Sequence, residues 1–458
     1  KSQNHAELSA RKEAPMKSAP LDRRIQRFVG KRVRNKAKGW DFSDAPDPRQ
    51  EKKVRHPMSA ILWALEFGLM SNQVTLRDVE ALIQRVGRWF KALIPSCISD
   101  TTLDSMSRRL DPGYLHSKLV LRIRDFHRSK MLTPVGLPCG IATVDGKNLS
   151  TLDHSANGAG HPRSSENSKW HKTAAEEKRH GKKYWLMLAL RAVLTSAEAK
   201  PCIFQFALPS GTGESTGFPT IVNGLYEAYG RSGMIGIIDG DAGLTSLKNA
   251  NHVRGLGYGY IFGLKGNQPE LYAEAQALLI PKTEDETPEI ESPWELRNGD
   301  WIRRQLWRTD EMQGFENSVG KWEHLQQTWL IRQETMDDSG KVEIEDRYFV
   351  TSLSWSFLKP AQILLAVRGH WGVENDAFNS LDLQWREDSG PWCTMGTAVM
   401  ALGILRILAY NTAQVLRRRR LRMKNKDGSL KAPMRWRSLF KDIESALKLN
   451  EELAPVDA

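Results

Sequence analysis

The stretch Ile363-Leu364-Leu365-Ala366-Val367-Arg368-Gly369-His370-Trp371-Gly372-Val373-Glu374-Asn375 sets an acid where a helix should show only apolar side chains. Ile363, Val367, Trp371, Phe378 and Leu381 recur at steps of four, four, seven and three, and the slot missing from that stripe is Glu374. A 3.6-residue period points Glu374 inward with the core residues. A buried carboxylate is unfavourable unless it is paired, hydrogen-bonded or next to a cation. A salt bridge to Arg368 or His370 would satisfy it, and so would a site shared with two aspartates far upstream.

Those aspartates lie in a region with strand rhythm. Ile141-Ala142-Thr143-Val144 reads as a short strand ending in Asp145-Gly146-Lys147. Strand-like runs follow at 184–194, 202–208, 234–238 and 258–264, with helices expected at 220–229 and 244–254. Three strands followed by alternating helix and strand predict an α/β fold, with β1–β3 antiparallel and βα units after them.

Around this core the chain divides by composition. Residues 1–50 form a basic arm, and 51–132 follow a helical period (Ile61, Leu65, Leu69, then Val79, Leu82, Ile83, Val86), with an N-cap expected at Ser99-Asp100-Thr101-Thr102. This predicts a small all-helical domain, a candidate for dimerisation or, given the basic charge of the chain, for binding DNA. Residues 133–267 are the first part of the α/β core, 268–350 a β-rich insertion, 351–416 the second part of the core, and 417–458 a basic tail. Trp294, Trp301, Trp307, Trp322 and Trp329 are expected mainly to form the insertion's own core. The apolar run 398–413, interrupted by Arg406, reads as a buried helix rather than a membrane span.

The formal net charge is +12 and is concentrated at the ends. Residues 1–40 carry twelve Lys or Arg against three acids, and 406–437 carry eleven against one, including Arg417-Arg418-Arg419-Arg420. Two basic clusters on a basic chain point to a polyanion, and these four arginines are candidate DNA contacts. The four cysteines are scattered singly, so neither a disulfide framework nor a zinc site follows. With no signal peptide visible, a reducing cytoplasm is the expected setting.

Asp145 at one strand end, Asp241 just past another, and Glu374 on a late helix suit the crevice where α/β sheets bind ligands. Clustered carboxylates stay ionised only when cations neutralise them. Hard oxygen ligands with open positions suit Mg²⁺ or Mn²⁺, and two such ions about 3.5–4 Å apart serve in-line displacement at phosphorus. Asp-Gly pairs are more often simple turns. Asp239 also shares strand parity with Asp241, so periodicity leaves both open.

A set of short motifs in fixed order resembles a known family. They are Asp47-Pro48-Arg49, His56-Pro57, Ser99-Asp100-Thr101-Thr102, Val144-Asp145-Gly146-Lys147, Asp241-Ala242, Leu264-Lys265-Gly266-Asn267-Gln268-Pro269, His370-Trp371-x-x-Glu374-Asn375, Leu381-Asp382 and Glu387-Asp388. Over roughly residues 45–415 the chain resembles the DDE transposases of bacterial insertion sequences, in particular the H-repeat-associated (IS-As-one-like) branch. The resemblance implies an RNase H-like mixed sheet flanked by helices, with Asp145, Asp241 and Glu374 as metal ligands, and it selects Asp241 over Asp239. It also implies two bound Mg²⁺ or Mn²⁺ ions, double-stranded DNA with terminal inverted repeats, a target DNA, and a homodimer acting on two DNA ends.

The chain departs from a related hairpin-forming branch, in which Tyr, Arg and Lys flank the Glu. Val367, His370 and Leu381 hold those slots here, so a phosphate grip is expected from Lys265, Arg368 or Arg386. Lys147 is a candidate contact to the scissile phosphate. Asn375 is a candidate to orient Glu374, and His370 either touches the site or is a hydrogen-bonded core histidine. The His-rich segment 153–182 lacks metal-ligand spacing and reads as a DNA-contacting or disordered loop. Three functions follow in order: a cut-and-paste transposase, a transposase-derived DNA-binding protein that no longer cuts, and an RNase H-like nuclease without strand transfer.

Overall fold

A computed structural model describes residues 23–34, 39–151, 185–209, 212–297, 299–387, 392 and 396–449. The mixed α/β class expected from the sequence is present: one ten-stranded sheet with helices on both faces. Strands β1 (Ile141–Thr151), β2 (Trp185–Leu194) and β3 (Cys202–Ala207) pair antiparallel. Strands β4 (Ile237–Gly240) and β5 (Gly259–Leu264) add in parallel on the other side of β1. The β-rich segment contributes β6 (Ile290–Glu291), β7 (Glu295–Arg297), β8 (Asp300–Thr309), β9 (Glu316–Asn317), β10 (Gly320–Lys321), β11 (Gln327–Met336) and β12 (Val342–Thr351). The sheet order is β3-β2-β1-β4-β5-β12-β11-β8-β6, so this segment continues the central sheet through β12. Trp307, Trp322 and Trp329 are buried there, whereas Trp301 is exposed.

Strand alternation sorts the side chains into two cores. On one face Ile141, Ile237 and Ile261 pack against Ile363, Ala366 and Val367 of the helix Pro360–Gly372. On the other, Val144, Ile238 and Phe262 meet Phe218 and Ile221 of the helix Glu214–Tyr229. The Phe218 and Phe262 rings pack edge-to-face at 5.7 Å. The helix Gly396–Val415 is buried, as its apolar run predicts; it begins a span, Ala398–Arg420, long and apolar enough to cross a membrane, whose most apolar stretch lies inside the protein while Arg419 and Arg420 at its end are exposed.

The N-terminal helices dock onto that central helix. Met58–Met70 is apolar around its whole circumference and buried almost throughout. Its one acid, Glu66, meets Arg122 of the helix Pro112–Arg128 at 2.6 Å, and Arg122 also donates to Thr412 Oγ1 at 3.1 Å. Ser99 caps the helix Asp100–Ser107 by accepting from the Thr102 N–H, as its sequence predicts.

Three local expectations need correction. The first strand does not end at Asp145: it runs to Thr151, because β2 supplies ladder partners along its whole length. A helix, Pro269–Asp285, opens the segment read as β-rich, with Pro269 in its first turn, where a missing N–H is harmless. Glu374 does not point into the core but is exposed. From Val373 the helix widens into π-helical turns, Val373–Phe378 and Ser380–Gln384. A π turn takes more residues than an α turn, so the apolar stripe loses phase. Ile363 and Val367 join one core, Phe378 and Leu381 the other, and Glu374 stands at the crossover.

Candidate active site

The site grows out of one sheet face. Parallel pairing sets Thr143 beside Asp239 and Val144 beside Gly240, and then stops. The face that begins with Ile141 and Ile237 therefore turns polar at Thr143 and Asp239, and beyond them come Asp145 and Asp241. The helix Pro360–Gly372 lies over the same face, apolar above the isoleucines and ending in His370 and Trp371.

Asp239, 2% exposed, takes the structural position of the two candidate aspartates. Its Oδ2 accepts from Thr143 Oγ1 at 2.6 Å and from His370 Nδ1 at 2.9 Å, while its buried Oδ1 has no hydrogen-bond partner among the described residues. Burial disfavours the charged imidazolium, but Asp239, with Asp145 and Asp241 near, pushes the His370 pKa up to about 9. Thus His370 is both hydrogen-bonded to the core and turned toward the pocket.

Asp145, Asp241 and Glu374 line one pocket of about 570 Å³, with Thr143, Lys265 and His370 also in its wall. Burial, then the charges of Asp241 and Glu374, push the Asp145 carboxyl up to about 6, against the pull of the Gly146 N–H and His370. Asp241 Oδ1 accepts from the Leu244 N–H at 3.2 Å, capping a short 3₁₀ turn. Glu214 is a further acid at this place, with its pKa raised by burial and by Asp241. Gly146 makes room for it: a Cβ there would lie 2.0 Å from Glu214 Oε1.

The donors suit a hard divalent ion. They are all carboxylate oxygens, and the burial and the neighbouring negative charges that raise Asp145 are both what a cation offsets. Among the described residues, no three His, Cys, Asp or Glu side chains yet stand close enough to hold one ion.

The other candidates separate. Lys265 is exposed at the pocket. Lys147 is not available to a phosphate there: it is buried, and its Nζ meets Asp382 at 2.5 Å. Arg368 pairs with Glu295 at 2.9 Å. Arg386 lines a different surface groove, with Arg437 and Lys441. The Asn375 side chain and the His-rich segment 153–182 lie outside the described residues. Of the four-arginine run, Arg417 stacks over Trp436 at 4.7 Å and Arg419 meets Glu198 at 3.3 Å. Arg420 is exposed and shares a groove with Arg24, Arg27 and Lys31.

Beneath the π-helical segment lies a buried polar layer that the sequence did not announce. Arg191, opposite Asp145 on β2, forms a two-pronged pair with Glu387 at 2.8 and 2.9 Å and also donates to Gln205. This layer ties the segment carrying Glu374 to the sheet.

A mixed sheet with carboxylates gathered near the ends of its parallel strands accords with the family comparison. Residues 140–412 match the model described as "Transposase DDE domain", and the chain belongs to that family. It is also similar to the "Putative protein YbfL" of Escherichia coli (strain K12), with 24% identity over 363 residues, covering 76% of this chain and 82% of the relative.

Proposed function

We propose that the protein cuts DNA strands at the ends of a mobile element and joins the freed 3′ ends to target DNA. In this reading Asp145, Asp241 and Glu374 hold Mg²⁺ or Mn²⁺ ions in an RNase H-like core, in the manner of the H-repeat-associated branch. The observation that carries it is that these three carboxylates line one pocket, from a strand, the turn after another strand and a helical segment far apart in the chain.

When bound, divalent ions there supply activation of the attacking oxygen and charge stabilisation of the leaving one. The chain's own residues do the rest. Asp145, Asp241 and Glu374 are the ligands; His370, fixed through Nδ1 by Asp239, keeps its ring against the pocket. Lys265, exposed at the pocket, offers a cation to the DNA backbone. The basic groove of Arg24, Arg27, Lys31 and Arg420 is suited to DNA outside the pocket. A homodimer holding two element ends fits this chemistry, with the helical region 51–132 and the basic ends as its further DNA or partner contacts.

The test is an assay with Mg²⁺ on duplexes made from the DNA bordering the gene on each side, scored for nicked strands and for joined products. Metal-dependent cutting followed by joining is expected. Salt-sensitive binding without any cutting would point to a protein that only binds DNA, and cutting without joining to a nuclease.

A further inference from the structure

The pocket surrounds a polyanion's cutting point with carboxylates, so something there must hold the DNA backbone. Of the cations foreseen for that task, Arg368 and Arg386 point elsewhere. One further arginine does line the pocket: Arg347 of β12. It shares a strand face with Phe349, whose ring lies in the core under the Pro360–Gly372 helix. Its guanidinium carbon stands 4.3 Å from the centre of the Trp371 ring, three residues before Glu374. Arg304 stands 5.2 Å from the same ring. Glu345 holds Arg347 from the side in a two-pronged pair, Nε donating to Oε1 at 2.8 Å and Nη2 to Oε2 at 2.5 Å.

We infer that Arg347, stacked on Trp371, is the residue that grips a phosphate beside the scissile bond. The inference rests on the function proposed above. A guanidinium laid over an indole presents its N–H groups around its edge, and the Nε/Nη2 fork that Glu345 now occupies is the one that matches two phosphate oxygens. Stacking fixes its plane before DNA arrives, so little side-chain freedom is lost on binding. The Glu345 side chain is 56% exposed against 28% for Arg347, so Glu345 is the partner that swings into water when a phosphate takes its place. Because Trp371 and Glu374 belong to one helical segment, the grip and the proposed metal ligand keep a constant separation.

The experiment uses full-length protein, Mg²⁺, and the bordering-DNA duplex carrying one neutral methylphosphonate at a time near the cut. Wild type is expected to lose about tenfold in cleavage at one phosphate next to the scissile one, the lower end for a hydrogen bond to a charged group. Arg347→Ala is expected to lose a similar factor on unmodified DNA and to lose its sensitivity to that one substitution alone. Arg347→Lys, which keeps stem and charge, guards against loss of fold and should retain part of the sensitivity. Wild-type cleavage by Arg347→Ala overturns the inference, as does a weakened Arg347→Ala that stays sensitive at every phosphate wild type senses. A wild type that cuts no duplex overturns the proposed function, and this role with it.

Discussion

Replacing Glu387 by alanine should both destabilise the protein and loosen the segment that carries Glu374. Arg191 and Glu387 are 0% and 1% exposed at the side chain, so the variant leaves a guanidinium in the interior without its carboxylate. Breaking a buried pair from one side costs about 3–5 kcal/mol. A second route gives a similar figure. Burial alone would raise the Glu387 carboxyl, yet Arg191, helped by Lys147 and Arg406, holds it down at about 2 against an ordinary 4.5. At about 1.36 kcal/mol per pH unit that gap is worth ~3 kcal/mol. A depressed carboxyl contributes fully above its unfolded value and loses its contribution as pH falls toward the folded one. The stability gap between wild type and Glu387→Ala should therefore be full at pH 7 and close below about 4.5. Urea unfolding across that range measures it. A gap under ~1 kcal/mol at pH 7, or one that widens on acidification, would refute the reasoning. The double variant Arg191→Met with Glu387→Leu should recover much of the loss, because an apolar pair leaves no stranded charge.

Gly140→Ala should cost about 3 kcal/mol, the upper end for overpacking, since its Cβ would lie 1.8 Å from the Met234 carbonyl oxygen and pry β1, which carries Asp145, from β4, which leads into Asp241; a melt within ~1 kcal/mol of wild type would contradict this. Trp329→Ala, which empties a fully buried site in the core beneath the Pro360–Gly372 helix, should cost ~3–5 kcal/mol in chemical denaturation, and a cost below ~1 kcal/mol would mean that core is not packed as described. In metal-free protein, His370→Gln removes a positive charge from beside Asp239. Because the His370 pKa is raised to about 9, its contribution is full below pH 6.5 and lost as the pH rises past 9, so wild type and variant should converge in thermal melts at high pH, not at low.

Much of this architecture can be read from local pattern. Alternation predicts β2, β3, β4 and β5 to within a few residues, and the apolar runs predict the buried helices, because period and burial are local properties. Ambiguity between Asp239 and Asp241 cannot be resolved by strand parity; in the structure Asp239 accepts from Thr143 and His370, while Asp241 lines the pocket. The π-helical turn at Glu374 has no residue signature, so helical phase sent that side chain inward when it stands at the pocket. Arg191 with Glu387, and Arg122 with Glu66, join residues 196 and 56 positions apart, a distance at which sequence spacing carries no information. Arg347 hides in the same way, as one more charged residue on a strand until the fold lays it on Trp371.

The central claim is that Asp145, Asp241 and Glu374 act as one metal-holding site on DNA. Its most direct test is the series Asp145→Asn, Asp241→Asn and Glu374→Gln, with Mg²⁺-dependent cleavage and DNA affinity measured on the same duplex. Each variant should lose more than ~100-fold in cleavage, beyond what supporting residues of a metal site usually cost, while DNA affinity without metal holds within a few-fold. Near-wild-type cleavage by any one of the three would contradict the account.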